Sequence, residues 1–298
     1  MENFIEINTV SQYDAFYGQE NLHPLVSIVD LAGSKPEIYT STMSFGFYAV
    51  FLKDTVCGDI AYGKNTYDYQ DKSLVFIAPG QVFNISLKEG DEAYGTGLLF
   101  HPDLIRGTPL GKRIDSYNFF SYQSSEALHV SEKERRLVVD CFEKIKYELE
   151  IGTDKHSRKL ISSNIELFLD YCIRFYDRQF ITRSEANHGI IEQFEMFLND
   201  YFHSDKPQTI GLPTVNYFAG LLHLSPNYFG DVVKKETGKS AHEYIQLKTM
   251  DIAKEKILNP KSTISEIAFE LGFTYPAHFT RAFKKNTGVT PLQYRSLN

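Results

Sequence analysis

The sequence predicts an α+β multidomain chain: an all-β N-terminal part, then helices, then an all-α C-terminal part. Three observations predict it. Short apolar segments separated by turn formers fill the chain to about residue 128, and apolar stripes at helical spacing follow to about residue 180. Near the C-terminus one helix-turn-helix pattern then occurs twice, about fifty residues apart. At 298 residues the chain suits two domains, each able to bury its own core.

In the N-terminal part, strand-like segments run from Phe45 to Leu52, Asp59 to Tyr62, Leu74 to Ile77, Val82 to Leu87 and Gly97 to Phe100. Turn-forming stretches such as Lys53-Asp54, Gly63-Lys64-Asn65, Pro79-Gly80 and Glu89-Gly90-Asp91 separate them. Short strands at this spacing predict a sandwich or small barrel. The region is rich in aromatic residues, and core packing accounts for each of them singly. Together, Phe47, Tyr62, Tyr69, Phe76 and Phe83 are the candidate lining of an apolar effector pocket with tyrosine hydroxyls.

Two helices are expected next. Ser131 and Glu134 form a capping box for a helix to Glu150 that carries Leu137, Cys141, Ile145 and Leu149 on one stripe. From about Lys155 to Phe180, Ile161, Ile165, Phe168, Cys172 and Tyr176 share one face, and Leu160, Leu167 and Tyr171 another. Two apolar faces need two partners. The β domain supplies one, and either a second subunit or the preceding helix supplies the other. The stretch Arg183 to Gly189 reads as a linker before a helix from Ile190 to Phe202.

The repeat carries the most information. Its first copy, VNYFAGLLHLSPNYFGDVVKKETGKSAHEYI, spans Val215 to Ile245. Its second, ISEIAFELGFTYPAHFTRAFKKNTGVTPLQYR, spans Ile264 to Arg295. Ala219 matches Ala268 and Leu222 matches Leu271 at a shift of 49. Beyond the turn the shift is 50, pairing Phe229 with Phe279, Thr237-Gly238 with Thr287-Gly288 and Tyr244 with Tyr294, so the second turn is one residue longer. In the first copy, Ser225-Pro226 supplies an N-cap hydroxyl and a proline at the first helical position, and Gly238 ends the helix. Phe229, Val232 and Val233 point inward; Asn227, Gly230, Asp231 and Lys234 take the opposite face. In the second copy Phe279, Ala282 and Phe283 face in, leaving Ala277, His278, Thr280, Arg281, Lys284 and Lys285 on or near the outer face. Two short helices joined by a tight turn is the unit that places its second helix in a DNA major groove. From Ser240 to Leu258 there is no proline or glycine, so one continuous helix of roughly 27 Å links the copies. That separation suits successive major-groove segments on one side of a duplex, whose turn is about 34 Å.

Composition narrows the remaining classes. The net charge of -7 is uneven: from Pro207 onward there are 11 Lys+Arg against 7 Asp+Glu, and before it 20 against 31. Local charge, not the sum, meets phosphates. No segment approaches the apolar length of a membrane span, and the start MENFIEINTV lacks a basic n-region, so a cytoplasmic location is expected. Cys57, Cys141 and Cys172 are odd in number and form no C-x-x-C pair, which reads as three reduced thiols, with a redox sensor as the minor alternative. No two of the nine histidines lie closer than fifteen residues, and His101 before Pro102 reads as a loop histidine, so neither metal nor cofactor is expected. Thr237-Gly238-Lys239-Ser240 mimics the end of a phosphate-binding loop, but Val233 holds the place of its first glycine. No nucleophile motif such as G-x-S-x-G occurs, and no catalytic residue is expected.

The run ISEIAFELGF-TYPAHFTRAFKK-NTGVTPLQYR resembles the AraC/XylS family of transcription regulators, and the resemblance covers roughly the last 110 residues. His223 departs from it where the first turn usually carries glycine, as do Gly230 and Asp231 where polar or basic groups are common. The resemblance implies a homeodomain-like double helix-turn-helix domain over residues 188–298 and a cupin-like sensory and dimerisation domain over residues 1–182. SLVFIAPGQVFNIS looks like a cupin strand-turn-strand core, with Phe83 where metal-binding cupins carry histidine. The implied function is a sequence-specific DNA-binding regulator, not an enzyme. DNA contact falls to Asn227, Tyr228, Asp231, Lys234 and Lys235 in the first copy and to Ala277, His278, Thr280, Arg281, Lys284 and Lys285 in the second. Double-stranded DNA is the implied partner, with a small-molecule effector, a second copy of the chain and RNA polymerase as further candidates. Control by a protein partner, and a cupin-type enzyme fused to a DNA-binding module, are the alternatives.

Overall fold

The computed structural model describes residues 4–32, 40–54, 59–62, 65–66, 72–86, 94–122, 126–182 and 184–297. The chain divides into two compact units, Met1–Thr182 and Arg183–Asn298.

The first unit opens with β1 (Phe4–Ile7), α1 (Val10–Phe16), β2 (Val26–Asp30), β3 (Thr40–Phe45) and β4 (Tyr48–Lys53). It continues through β5 (Asp59–Tyr62), β6 (Asn65–Thr66), β7 (Ser73–Ile77), β8 (Val82–Ser86) and β9 (Gly95–Phe100). Short helices α2 (Pro102–Ile105) and α3 (Pro109–Arg113), strand β10 (Leu128–His129) and the long helices α4 (Glu132–Glu150) and α5 (Ser157–Thr182) complete it. The described strands make two five-stranded sheets, ordered β1-β3-β8-β5-β6 and β10-β7-β4-β9-β2, and no closed barrel. The expected single strand from Phe45 to Leu52 is in fact two, one in each sheet. At the crossing, Gly46 donates its N–H to the Ile7 carbonyl at 2.9 Å, and a Cβ there would lie 2.5 Å from the Asn8 carbonyl oxygen.

The two sheets share one core. Met43, Phe45 and Phe83 from the first meet Ala49, Phe51, Val75, Ile77 and Leu99 from the second. The period of two on β7 sends its other residues the opposite way: the Phe76 ring meets Phe119, Phe120 and Tyr176. All five residues of β7 are therefore buried, and the second sheet is covered on both faces. The expected capping box holds α4, with the Ser131 hydroxyl accepting from the Glu134 N–H. Ile161, Ile165, Phe168 and Cys172 of α5 are buried as a stripe, whereas Leu160 and Leu167 on its other face are 44% and 42% exposed.

The second unit is all-helical: α6 (Ser184–Phe202), α7 (Lys206–Ile210), α8 (Val215–Leu221), α9 (Pro226–Thr237), α10 (Ala241–Ile257), α11 (Ile264–Glu270), α12 (Pro276–Thr287) and α13 (Pro291–Leu297). Helix α6 begins inside the stretch expected to be a linker. One core joins all of this unit, with Phe194, Phe218 and Phe229 at one end, Ile267, Phe279 and Phe283 at the other, and Met250, Ala253 and Ile257 of α10 between. Among the described residues no helix is long and apolar enough to cross a membrane, and no three His, Cys, Asp or Glu are grouped to hold a metal ion.

Candidate nucleic-acid interface

The two sequence copies fold into two matching structural units, α8–α9 and α11–α12. In the first turn the Leu224 N–H returns to the Ala219 carbonyl at 2.9 Å, and in the second the Phe273 N–H returns to Ala268 at 2.9 Å. Both closures need a left-handed residue. Gly272 supplies it at φ +92°, and His223 supplies it at φ +56°. Only glycine adopts that region without a Cβ penalty.

The second helix of each unit ends alike. Gly238 and Gly288 are left-handed caps at φ +71° and +84°, and their N–H groups reach the Lys234 and Lys284 carbonyls at 2.9 and 2.8 Å. The Thr237 and Thr287 hydroxyls bond back to the Val233 and Phe283 carbonyls. The starts differ. The Ser225 hydroxyl accepts from the Tyr228 N–H at 3.1 Å and caps α9, but its counterpart Tyr275 offers no side-chain cap to α12. Tyr275 instead stands 61% exposed, its ring 5.3 Å from that of His278. Sequence reasoning passed over this residue, although pairing Ser225 with Tyr275 at the 50-residue shift marks it.

On α9, Asn227, Lys234 and Lys235 are exposed and Asp231 is half-buried. Tyr228, which the resemblance places among the DNA contacts, is 5% exposed, a correction to that expectation. It stands one residue before Phe229, on the side of α9 that also buries Val232. On α12, Ala277, His278, Arg281, Lys284 and Lys285 are exposed and Thr280 is half-buried. Among the described residues the Arg281 guanidinium makes only a long contact to its own helix, Nε to the Ala277 carbonyl at 3.4 Å, so it is available to an outside acceptor. Lysines close both helices at their C-terminal turns.

Helix α10 sets the separation. A capping box of Ser240 and Glu243 starts it, and those hydrogen bonds hold the Glu243 carboxyl below its usual range. Its 17 residues span about 26 Å. Its end is held too: the Arg295 guanidinium of α13 donates to the Ile257 carbonyl at 2.7 Å and the Ser262 carbonyl at 2.8 Å. Tyr244 of α10 donates to Glu195 of α6, and that bond, with Lys248 nearby, lowers the Glu195 carboxyl. A backbone seam braces the second turn, where a Cβ on Gly272 would lie 2.5 Å from the Gly211 carbonyl oxygen. That same oxygen accepts from the Tyr201 hydroxyl at 2.8 Å.

Of the five residues expected to line an effector pocket, the three with described side chains do not share one face. Phe47 and Phe83 lie between the sheets, where Phe45 stacks on the first at 5.0 Å and meets the second edge-on at 4.9 Å. Tyr13 of α1 adds a third ring to this group, 5.6 Å from Phe45 and 6.1 Å from Phe47. Phe76 is on the far face of the second sheet, as the strand period requires. The Tyr62 side chain and Tyr69 lie outside the described residues. Cys141 and Cys172 are buried free thiols, both pushed up by burial; Cys57 lies outside the described residues.

A helix-turn-helix domain family matches residues 218–296. The HTH-type transcriptional regulator YobQ of Bacillus subtilis (strain 168), itself uncharacterized, is 33% identical over 96 residues, 32% of this chain and 39% of that protein. The Msm operon regulatory protein of Streptococcus mutans is 36% identical over 81 residues, 27% of this chain and 29% of that one. The chain thus spans less than half the length of either relative. The probable transcriptional regulator LumQ of Photobacterium leiognathi is 19% identical over 238 residues, 78% of this chain and 86% of that protein. Among solved structures, the C-terminal domain of AraT, a response regulator from Geobacillus stearothermophilus, is 29% identical with a TM-score of 0.33, covering 37% of this chain and 85% of that chain.

Proposed function

We propose that the chain is a sequence-specific DNA-binding transcription regulator whose second unit is a double helix-turn-helix domain of the AraC type, a reading supported by the helix-turn-helix family match over residues 218–296. The observation that carries this is the duplication itself: two units with the same turn bond and the same C-cap, each presenting a lysine-ended second helix. In this reading α9 and α12 enter successive major-groove segments of one duplex. Asn227 and Asp231 of α9, with Ala277, His278, Thr280 and Arg281 of α12, face base edges. Lys234, Lys235, Lys284 and Lys285, at the helix ends, meet phosphates. Asp231 reads a base only by accepting from a cytosine amino group. Titrating the intact chain onto duplex DNA at rising salt tests the proposal. Neutralising about four phosphates gives a slope of about -3.6 in log affinity against log salt. Folded protein that binds no DNA at low salt removes it.

The first unit is the regulatory half in this proposal, and its two facing sheets support a cupin-like sensory reading. Leu160 and Leu167 on the open face of α5 support a contact with a second copy of the chain. Sedimentation of the intact chain as a monomer at micromolar concentration removes that contact. Because the rings of Phe45, Phe47, Phe83 and Tyr13 pack on one another between the sheets, a protein partner at the surface of this unit is the second reading beside a small-molecule effector. Pull-down with the intact chain, against thermal-shift screening of metabolites, separates the two. RNA polymerase is the further partner that an activator of this design requires.

A further inference from the structure

A cleft of about 270 Å³ opens in the second unit between α10, the C-terminal half of α12 and the segment that leads into α8. It sits just below the roughly 300–1,000 Å³ range of small-molecule sites. Its floor is apolar: Val215, Ile245, Met250 and Phe273 line it. Its rim is polar and carries positive charge. Lys285 and Asn286 of α12 stand there with Gln246 and His242 of α10, and among the described residues the Lys285, Asn286 and Gln246 side chains make no hydrogen bond or ion pair with another side chain that would hold them away from the cleft. No carboxylate lines the cleft, so nothing there neutralises the Lys285 ammonium.

An apolar floor under an uncompensated ammonium and two amide side chains favours an anion with an apolar body. The floor gains by excluding water from the body, and the rim gains a charge-assisted hydrogen bond to the head group. We propose that this cleft is a binding site for a small aromatic monoanion, a carboxylate or sulfonate, seated against Met250 and Phe273 with its head group on Lys285. The site does not depend on the DNA-binding reading, and its test contains no DNA.

The chain has no tryptophan, so Leu212→Trp at the mouth of the cleft places a single indole reporter there in the intact protein. The probe is 8-anilinonaphthalene-1-sulfonate, followed by energy transfer from that indole. Saturable binding of one probe per chain is expected. Adding Lys285→Glu, an exposed position that leaves the core intact, weakens the sulfonate at least about fivefold by turning attraction into repulsion. The neutral N-phenyl-1-naphthylamine, having no head group, keeps its affinity within about twofold. Non-saturable transfer, or a Lys285→Glu protein that binds the sulfonate as tightly as its parent, overturns the proposal.

Discussion

His223 and Gly272 occupy equivalent places in two turns closed by the same backbone bond, yet only one of them is glycine. A left-handed conformation costs a residue with a Cβ about 1–2 kcal/mol, and glycine gives part of that back through the entropy of its unfolded chain. His223→Gly is therefore expected to stabilise the second unit by about 1 kcal/mol in denaturant unfolding. Gly272→Ala is the opposite case. It meets the same conformational cost, and its Cβ collides with the Gly211 carbonyl, so a loss of more than about 2 kcal/mol is expected. Equal effects of the two changes would show that the seam yields easily. At the proposed interface, Arg281 can bond both acceptors of a guanine, worth about 1–3 kcal/mol of discrimination. Binding selections with Arg281→Ala should relax preference at one or two base positions while leaving the rest. A uniform loss of affinity without loss of specificity would reduce Arg281 to a phosphate contact.

At the scale of elements, α1 joins the core of the first unit through Tyr13, and it also buries Asp14 without a partner for one carboxylate oxygen. The other oxygen accepts from Asn21 at 2.9 Å. Burial raises the Asp14 carboxyl above its usual range, against the bonds from Ser27 and Asn21 that lower it. A carboxyl so raised holds its proton more tightly folded than unfolded. It favours folding below the unfolded value of about 4 and penalises it as pH rises through the folded value. Asp14→Asn should thus raise stability at pH 7, with the gain shrinking towards pH 3, as followed by thermal unfolding across that range. Asp14 was invisible in the sequence. VSQYDAF is only seven residues long, and its capping box, Thr9 with Gln12, holds one turn of little intrinsic helicity. Helices with long stripes were legible, down to the box that starts α4. Strand segments were legible, but their assignment to sheets was not, because the passage at Gly46 is fixed by the backbone of Asn8, a neighbour in space that is distant along the chain and that no local periodicity reveals. The described pocket candidates part from one another for a related reason. Counting aromatics ignores parity, and parity on β7 turns Phe76 away from the space between the two sheets, where Phe83 of the other sheet lies. The exposure of most residues on the outer faces of α9 and α12 was legible because the repeat supplies its own internal alignment, which also marks the glycine caps at both C-terminal ends. Tyr228 was misplaced because it sits where the inner and outer faces of α9 meet.

The molecule as a whole joins an acidic first part to a basic last part, and each unit has an apolar core made from its own residues. Two cores of this kind predict two unfolding transitions in calorimetry, with the Gly272→Ala destabilisation confined to one of them. A single transition displaced as a whole would mean that the units fold as one. Within the second unit the situation is reversed. One core, one seam and one helix hold both helix-turn-helix units, so they cannot slide or swivel independently. Such a body acts as a ruler. Its operator would tolerate base changes one at a time, each at a modest price, but not a change of spacing. One base pair inserted between the two half-sites moves the second groove by about 3.4 Å and turns it by about 34–36°, and no hinge in α10 can absorb that displacement. Affinity for such an expanded site should fall nearly to that for one half-site alone, and retention of full affinity would reveal play between units that the shared core does not allow.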